Sequence, residues 1–173
     1  MKGEALMPVF NLGFSEKLIE AAQFIFDDEG DEFDKLQTIL YLCHLSCEIT
    51  LKALLEKAGK PIQDIKACSH DFEKMFQPFF VEVGTYSEVG NNIYEWYPAS
   101  HIGCDQTTAG FYEPTVRTML TDERASRYPS NLRYAGDHIS SYPPIELIKA
   151  AKSLLNDALK YWDNIRLAPS REG

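Results

Sequence analysis

Apolar residues recur at three- and four-residue steps in four stretches of this chain, and this spacing is typical of one face of an α-helix. The first predicted helix runs from about Ser15 to Asp27, and the second and longest from about Phe33 to Ala58. A third begins near Ser69, a good N-cap residue, and the last runs from Pro144 to about Leu167. No stretch shows the clear alternation with period two that marks a half-buried strand. The pattern therefore predicts an all-α domain of four to five main helices.

The second predicted helix is apolar over most of its circumference, which indicates a central position in contact with more than one helix. Its narrow polar strip consists of His44, Glu48, Lys52 and Glu56, spaced four residues apart. One interpretation is a solvated strip strengthened by charge pairs between successive turns. The other is the floor of a ligand-binding cleft, which makes His44 and Glu48 candidate ligand-binding residues.

Residues 80–142 differ from the rest because the helical periodicity weakens and glycine and proline recur. A segment of this length is too long for a simple connection, so it carries either function or further helices. We expect a long, irregular insert rich in tyrosine and arginine before the last helix. Its tyrosines are Tyr86, Tyr94, Tyr97, Tyr112, Tyr128, Tyr134 and Tyr142.

The length of 173 residues fits a single domain, residues 1–173, and the formal net charge of −9 opposes nucleic-acid binding through an overall positive field. The acidic run at residues 27–34 does not have glycine and a final glutamate at the positions that a calcium loop requires, and is interpreted as a solvated turn between helices. The N-terminal stretch lacks the apolar core of a signal peptide. We therefore expect a soluble, cytoplasmic protein that does not associate with membranes.

The four cysteines are expected to be free thiols, two of them packed in the second helix as small apolar residues. The short motifs CHLSC, CSH and HIGC bring cysteine and histidine close together in sequence. None of them has the paired spacing of a zinc site. We expect neither a metal ion nor another cofactor.

The best candidate for an anion site is a group of arginines within the insert. No lysine occurs between Lys74 and Lys149, so arginines supply the fixed positive charge of that span. A guanidinium group can donate two hydrogen bonds to two oxygens of one phosphate, and a neighbouring tyrosine ring can stack on a base. The alternative is that the arginines form surface ion pairs with nearby acidic residues. The candidate ligand-binding residues here are Arg117, Arg124, Arg127, Tyr128 and Tyr134, beside Arg133.

Arg133 and His138 also suit metal-independent cleavage of RNA. Histidine can remove the proton of a ribose 2′-hydroxyl, while arginine stabilises the charge that develops on the phosphate. The chain has no GxSxG, HExxH or CxxC motif and no glycine-rich phosphate loop before a helix. Arg133 and His138 are therefore the candidate catalytic pair, if the protein is an enzyme.

Three segments together resemble the HEPN domains of prokaryotes: CEITLKALLEKAG, SHDFEKMF and RYPSNLRY before a final amphipathic helix. The resemblance covers roughly residues 15–165, and its best local match is residues 47–76. It implies a small antiparallel, up-and-down helical bundle that commonly forms homodimers. Many members of that family are metal-independent ribonucleases of toxin–antitoxin and defence systems with an Arg-x4–6-His motif, which maps onto Arg133 and His138 in RYAGDH.

Other HEPN proteins pair with nucleotidyltransferases or serve as binding modules, and they carry an Arg-Tyr-Pro segment before the last helix. Arg127, Tyr128 and Pro129 resemble that segment. Tyr134 and Gly136 depart from the nuclease pattern, since nuclease members usually have a small polar residue after the arginine and a rigid helix start. We therefore expect a nucleotide- or RNA-phosphate-binding adaptor, with a ribonuclease or an interaction protein unrelated to nucleic acid as alternatives.

Overall fold

The computed structural model describes residues 8–30, 32–76, 79–82, 93–94, 120 and 143–167. Five helices, three short strands and one turn of 3-10 helix lie within these residues. In chain order they are α1 (Leu12–Asp27), α2 (Glu32–Lys57), α3 (Ile62–Ala67), α4 (Phe72–Phe76), β1 (Phe79–Glu82), β2 (Ile93–Tyr94), α5 (Pro144–Lys160), the 3-10 turn (Trp162–Asn164) and β3 (Ile165–Leu167).

Helix α1 begins three residues before the predicted start because Asn11 caps it. The Asn11 side chain accepts a hydrogen bond of 2.7 Å from the Gly13 N–H, one of the amide groups that a helix start leaves without a partner. The helix ends at Asp27, and Asp28 has an extended backbone. This end is the one predicted, and the acidic run at residues 27–34 therefore includes the connection between α1 and α2.

Helix α2 matches its predicted bounds closely, and its C-terminus ends in a Schellman motif. The Gly59 N–H bonds to the Glu56 carbonyl at 3.0 Å, and the Lys60 N–H bonds to the Leu55 carbonyl at 2.9 Å. Gly59 has a φ of 92°, a left-handed conformation that only glycine adopts without strain. The glycine therefore ends the helix.

The third predicted helix corresponds to the short helix α4, and α3, which precedes it, was not predicted. Ser69 is not an N-cap, because it has a φ of 51° in the turn between these helices. Asp71 caps α4 instead, since its carboxylate accepts a hydrogen bond of 3.2 Å from the Lys74 N–H three residues later. Helix α4 ends at Phe76, and Phe79 lies in β1.

Helix α5 starts at Pro144 as predicted, which agrees with the preference of proline for the first helical turn. It ends at Lys160, earlier than predicted. The chain continues through the 3-10 turn into β3. The buried face of α5 follows helical spacing and consists of Leu147, Ile148, Ala150, Ala151, Leu154, Leu155 and Ala158.

Helices dominate the described residues, as the all-α prediction expects, but three short strands that were not predicted form a small antiparallel sheet with the order β2-β1-β3. Phe79 is paired with Leu167, and Val81 is paired with both Ile165 and Tyr94. These strands have no clear signal in the sequence because they are very short and β1 begins with three consecutive apolar residues, without alternation. The sheet joins the chain after α4 to the chain after α5.

The predicted helical frame is confirmed, since α1, α2 and α5 pack against one another and α2 contacts both other helices. Helices α1 and α2 are antiparallel, because Ser15 near the start of α1 bonds Thr50 in the second half of α2. Full burial of one large apolar side chain contributes about 1.5–3 kcal/mol. The largest fully buried side chains are Ile39, Leu40, Leu51, Leu54, Leu55, Ile65, Met75 and Ile148.

Candidate functional site: a buried polar cluster on α2

Most of the predicted site residues lie outside the residues that the structure describes. Their roles therefore stay predictions. These residues are Arg117, Arg124, Arg127, Tyr128, Arg133, Tyr134 and His138. His44 and Glu48 are described, and both belong to the polar strip of α2.

The interpretation of this strip as solvated is wrong. His44, Glu48 and Lys52 are only 4%, 5% and 9% exposed. Periodicity places the strip on one edge of α2 but does not say which part of the chain covers it. The covering residues come from α4 and from the segment before α1, both distant in sequence.

Glu48 is the centre of the cluster. One of its carboxylate oxygens accepts a hydrogen bond of 2.7 Å from the Lys52 ammonium group one turn along α2. The other oxygen accepts a hydrogen bond of 2.8 Å from Nδ1 of His70. Because a carboxylate only accepts, the second contact places a proton on Nδ1. A buried carboxylate thus holds two nitrogen donors in fixed positions.

His70 lies in the turn between α3 and α4, where Ser69 takes its left-handed conformation. The His70 side chain is 43% exposed, whereas that of Glu48 is 7% exposed. The pair therefore connects the interior of the protein to its surface. A carboxylate on Nδ1 fixes both the tautomer and the orientation of an imidazole, which is how proteins position a histidine for proton transfer or anion binding.

His44 extends the cluster on the side of α4. Its Nδ1 lies 2.7 Å from the carbonyl oxygen of Leu40, so this nitrogen also carries a proton. The His44 ring meets the ring of Phe72 edge to face, with centroids 6.0 Å apart. Phe72 is buried at the start of α4 and helps to cover the strip.

Glu56, at the other end of the strip, binds the segment that precedes α1. Its two carboxylate oxygens accept hydrogen bonds of 2.9 Å from the Val9 N–H and 3.0 Å from the Phe10 N–H. The Phe10 ring lies 5.9 Å from the Lys52 ammonium group. The N-terminal segment thereby shields Lys52 from water. It accounts for part of the burial of the polar strip, which the sequence did not reveal.

A second polar group joins α1 to α2 through hydroxyls. The Ser15 hydroxyl donates to the Ser46 carbonyl oxygen at 2.9 Å, and lies 2.7 Å from the Ser46 hydroxyl and 2.6 Å from that of Thr50. All three residues are buried. These hydrogen bonds satisfy buried hydroxyl groups that have lost their contact with water. The contact therefore has a structural role, which is to join α1 to α2.

The cysteines of the described residues are free thiols, as predicted: Cys43, Cys47 and Cys68 are all buried. Burial raises the pKa of the Cys43 thiol to about 12, against a small opposing effect of Lys152. Burial also raises the pKa of Cys47 well above its ordinary value, and Cys43 adds to this shift. A buried thiol that resists ionisation is a poor nucleophile and a poor metal ligand.

Within the described part of the chain, no three histidine, cysteine, aspartate or glutamate residues are grouped to hold a metal ion. The predicted short motif at His101 and Cys104 falls outside that part.

Among the described residues, one helical stretch, Asp34–Lys57, has the length and composition to cross a membrane, and 67% of its most apolar segment is buried inside the protein. Core helices of soluble proteins share these properties, so the stretch is ambiguous.

His70 and Lys52 belong to this site, although neither was predicted as a ligand-binding residue. Lys52 was expected on the polar strip with charge pairs between successive turns, and its contact with Glu48 is such a pair, but the spacing did not show that the pair is buried. His70 was noted only beside Cys68 and in the SHDF segment. Its position just before the start of a helix was the available signal, since loops between elements commonly carry site residues.

Comparisons of the chain with protein-family models, with curated proteins and with solved structures find no match.

Proposed function

We propose that the protein is an HEPN-like antiparallel helical bundle that binds the phosphate of a nucleotide or an RNA. In this proposal it is a cytoplasmic homodimer that acts as an adaptor, with a nucleotidyltransferase as a candidate partner, in a toxin–antitoxin or defence system. The observation that carries the proposal is the Glu48–His70 contact, which links a buried carboxylate to a partly exposed imidazole.

The two segments with the best resemblance to HEPN domains meet at this contact. Glu48 and Lys52 belong to CEITLKALLEKAG in α2, and His70 and Phe72 belong to SHDFEKMF at α4. Residues that are far apart in sequence thus form one cluster. This contact supports the interpretation that the two short segments resemble HEPN domains because they form one structural unit.

The charges of the cluster suit an anion at its exposed end. Lys52 balances Glu48, so the three residues have one net positive charge when both ring nitrogens of His70 carry protons. Only the His70 side chain among them is substantially exposed. Phosphate oxygens accept charge-assisted hydrogen bonds from such a group. Arg127 and Arg133 are the proposed further phosphate contacts.

Binding is tested by fluorescence anisotropy with labelled single-stranded RNA and with ATP as a competitor, at low and moderate salt. His70→Asn keeps an N–H donor for Glu48 but removes the charge, and we expect it to weaken binding at least about tenfold. Arg133→Ala should weaken binding and reduce its salt dependence. Lys66→Ala, a nearby exposed residue on α3, is the control. Equal affinity of wild type, His70→Asn and Arg133→Ala would contradict the proposal.

Ribonuclease activity is the second candidate function, because a carboxylate-oriented imidazole is also the arrangement of a general base. The pure protein is incubated with RNA in EDTA beside Arg133→Ala, His138→Ala and His70→Asn. Cleavage that persists in EDTA and is lost in Arg133→Ala and His138→Ala would establish the predicted pair. Loss in His70→Asn as well would add this residue to the site, and intact RNA at high protein concentration would rule the activity out.

The proposed homodimer is tested by light scattering. One chain has a mass of 19.7 kDa, so a dimer should scatter with twice that mass. A mass of one chain across the accessible concentration range would end this part of the proposal.

A further inference from the structure

A groove of about 480 Å³ runs between α1 and α5, away from the cluster on α2. Its apolar lining includes Ile19 and Leu155, which are buried, and Phe24, which is 76% exposed. Phe24 is the most exposed of the large apolar residues in the described part of the chain. Aromatic residues are enriched where proteins contact one another, so an exposed aromatic ring at a groove suits a contact surface.

The polar rim of this groove is acidic on the side of α1. Glu16, Glu20 and Asp27 line it, and they lie along about 16 Å of helix at a rise of 1.5 Å per residue. Asp28 and Glu29 follow directly after the helix, and the last turn of α1 has no basic residue. The negative end of the helix dipole adds to these charges.

The basic residue of the rim is already engaged across the groove. The Lys152 ammonium group on α5 donates a hydrogen bond of 2.8 Å to the Gln23 side chain on α1. Gln23 in turn donates to Asp27 at 3.0 Å. These bonds hold the two walls of the groove together, and they leave Glu16 and Glu20 along its open edge. Glu20 also pairs with Lys17 at the surface.

We propose that this groove is a docking site for a basic amphipathic helix of a partner protein. Leucine or aromatic side chains of that helix pack on Phe24 and Leu155, and its lysine or arginine side chains pair with the row formed by Glu16, Glu20 and Asp27. The row has helical spacing because it belongs to α1, so a second helix laid alongside presents its charges at matching steps.

The charges favour a basic partner over a second copy of this chain. The chain has a formal net charge of −9, so a second copy adds negative charge to an acidic groove. Like charges across an interface oppose association, whereas opposite charges raise the association rate and select the partner. The proposal is independent of phosphate binding at His70.

The test uses a fluorescein-labelled synthetic helix with lysines on one face and leucines on the other, and a second peptide with glutamate in place of each lysine. Anisotropy is measured against the full chain. Phe24→Ser and Glu20→Lys should each weaken binding of the lysine peptide at least about tenfold. Phe14→Ser is the matched control, because Phe14 is an exposed phenylalanine on the same helix outside the groove lining. Asp64→Lys is the charge-matched control for Glu20→Lys.

The expected result is binding of the lysine peptide alone, lost in the two groove variants and kept in the two controls. RNA binding should be the same in Phe24→Ser and wild type, which separates this proposal from the previous one. Equal binding of both peptides, no binding of the lysine peptide, or equal affinity in Phe24→Ser and Phe14→Ser would overturn the proposal. A dimer of the wild type that Phe24→Ser converts to a monomer would also overturn it, since a second copy would then occupy the groove.

Discussion

Replacing Glu48 by glutamine removes the charge that Lys52 and His70 share, while it keeps the size of the side chain. Lys52 lies 2.7 Å from Glu48 and both side chains are almost fully buried. Removing one partner of a buried ion pair costs about 3–5 kcal/mol, because the remaining charge stays buried without compensation. The glutamine oxygen can still accept from Lys52, so we expect the lower end, about 3 kcal/mol.

The assay is urea unfolding followed by circular dichroism at neutral pH, with the free energy of unfolding and its urea dependence fitted together. A loss of about 3 kcal/mol should lower the melting temperature by about 6–12 °C in a chain of this size. Glu20→Gln makes the same chemical change in a pair with Lys17 that is 2.6 Å long but exposed to solvent. It should leave stability almost unchanged, since water screens exposed pairs.

The double variant Glu48→Gln/Lys52→Met completes the experiment. Methionine is an unbranched, flexible side chain without a charge, so the double variant should regain most of the stability that Glu48→Gln alone loses. A cost below about 1 kcal/mol for Glu48→Gln would refute the argument that burial makes this pair costly to break. So would a double variant that is no more stable than the single one, because the stranded charge would then not be the cause.

Three further predictions concern other described residues. Ser15→Ala removes the hydroxyl that Ser46 and Thr50 share, and should lower the free energy of unfolding by about 1–3 kcal/mol in the same urea assay; an unchanged midpoint would contradict it. Asp71→Ala removes the cap of α4 and should cost about 1 kcal/mol, whereas Asp71→Asn should keep most of the stability. Burial raises the pKa of the Cys43 thiol from 9.0 to about 12, so ionisation of this thiol favours the unfolded chain. The stability that depends on the protonated thiol is fully present below pH 9 and is lost as the pH rises to 12. Stability should therefore fall less steeply over that range in Cys43→Ala than in wild type, and parallel curves would disprove it.

The long helices were predictable because their periodicity is strong. Helix α2 was found almost to the residue, and the start of α5 was marked by Pro144. Short elements were harder, since a helix of five or six residues shows barely one repeat. Helix α3 was missed, and α4 was given the wrong cap because both Ser69 and Asp71 suit that role by residue type. The choice between them depends on the backbone conformation of the turn.

The sequence predicts which residues of the candidate site share one edge of α2, but it does not predict that this edge is buried. Spacing by four residues placed His44, Glu48 and Lys52 on one edge of α2. Burial of that edge depends on Phe10 and Phe72, which reach it from other parts of the chain. Contacts between distant segments leave no periodic trace in a single sequence, so spacing alone left both a solvated strip and the floor of a cleft as interpretations.

The small sheet has a consequence for the order in which the protein folds during synthesis. Phe79 in β1 pairs with Leu167 in β3, so the ribosome must complete α5 before β1 gains this partner. Until then the apolar start of β1 has one unpaired edge, which is a template for pairing with other chains. Helices α1 and α2 need no later residue for their own contact and can form first. Pairing of β1 with other chains is therefore favoured in the interval between the emergence of β1 and that of β3.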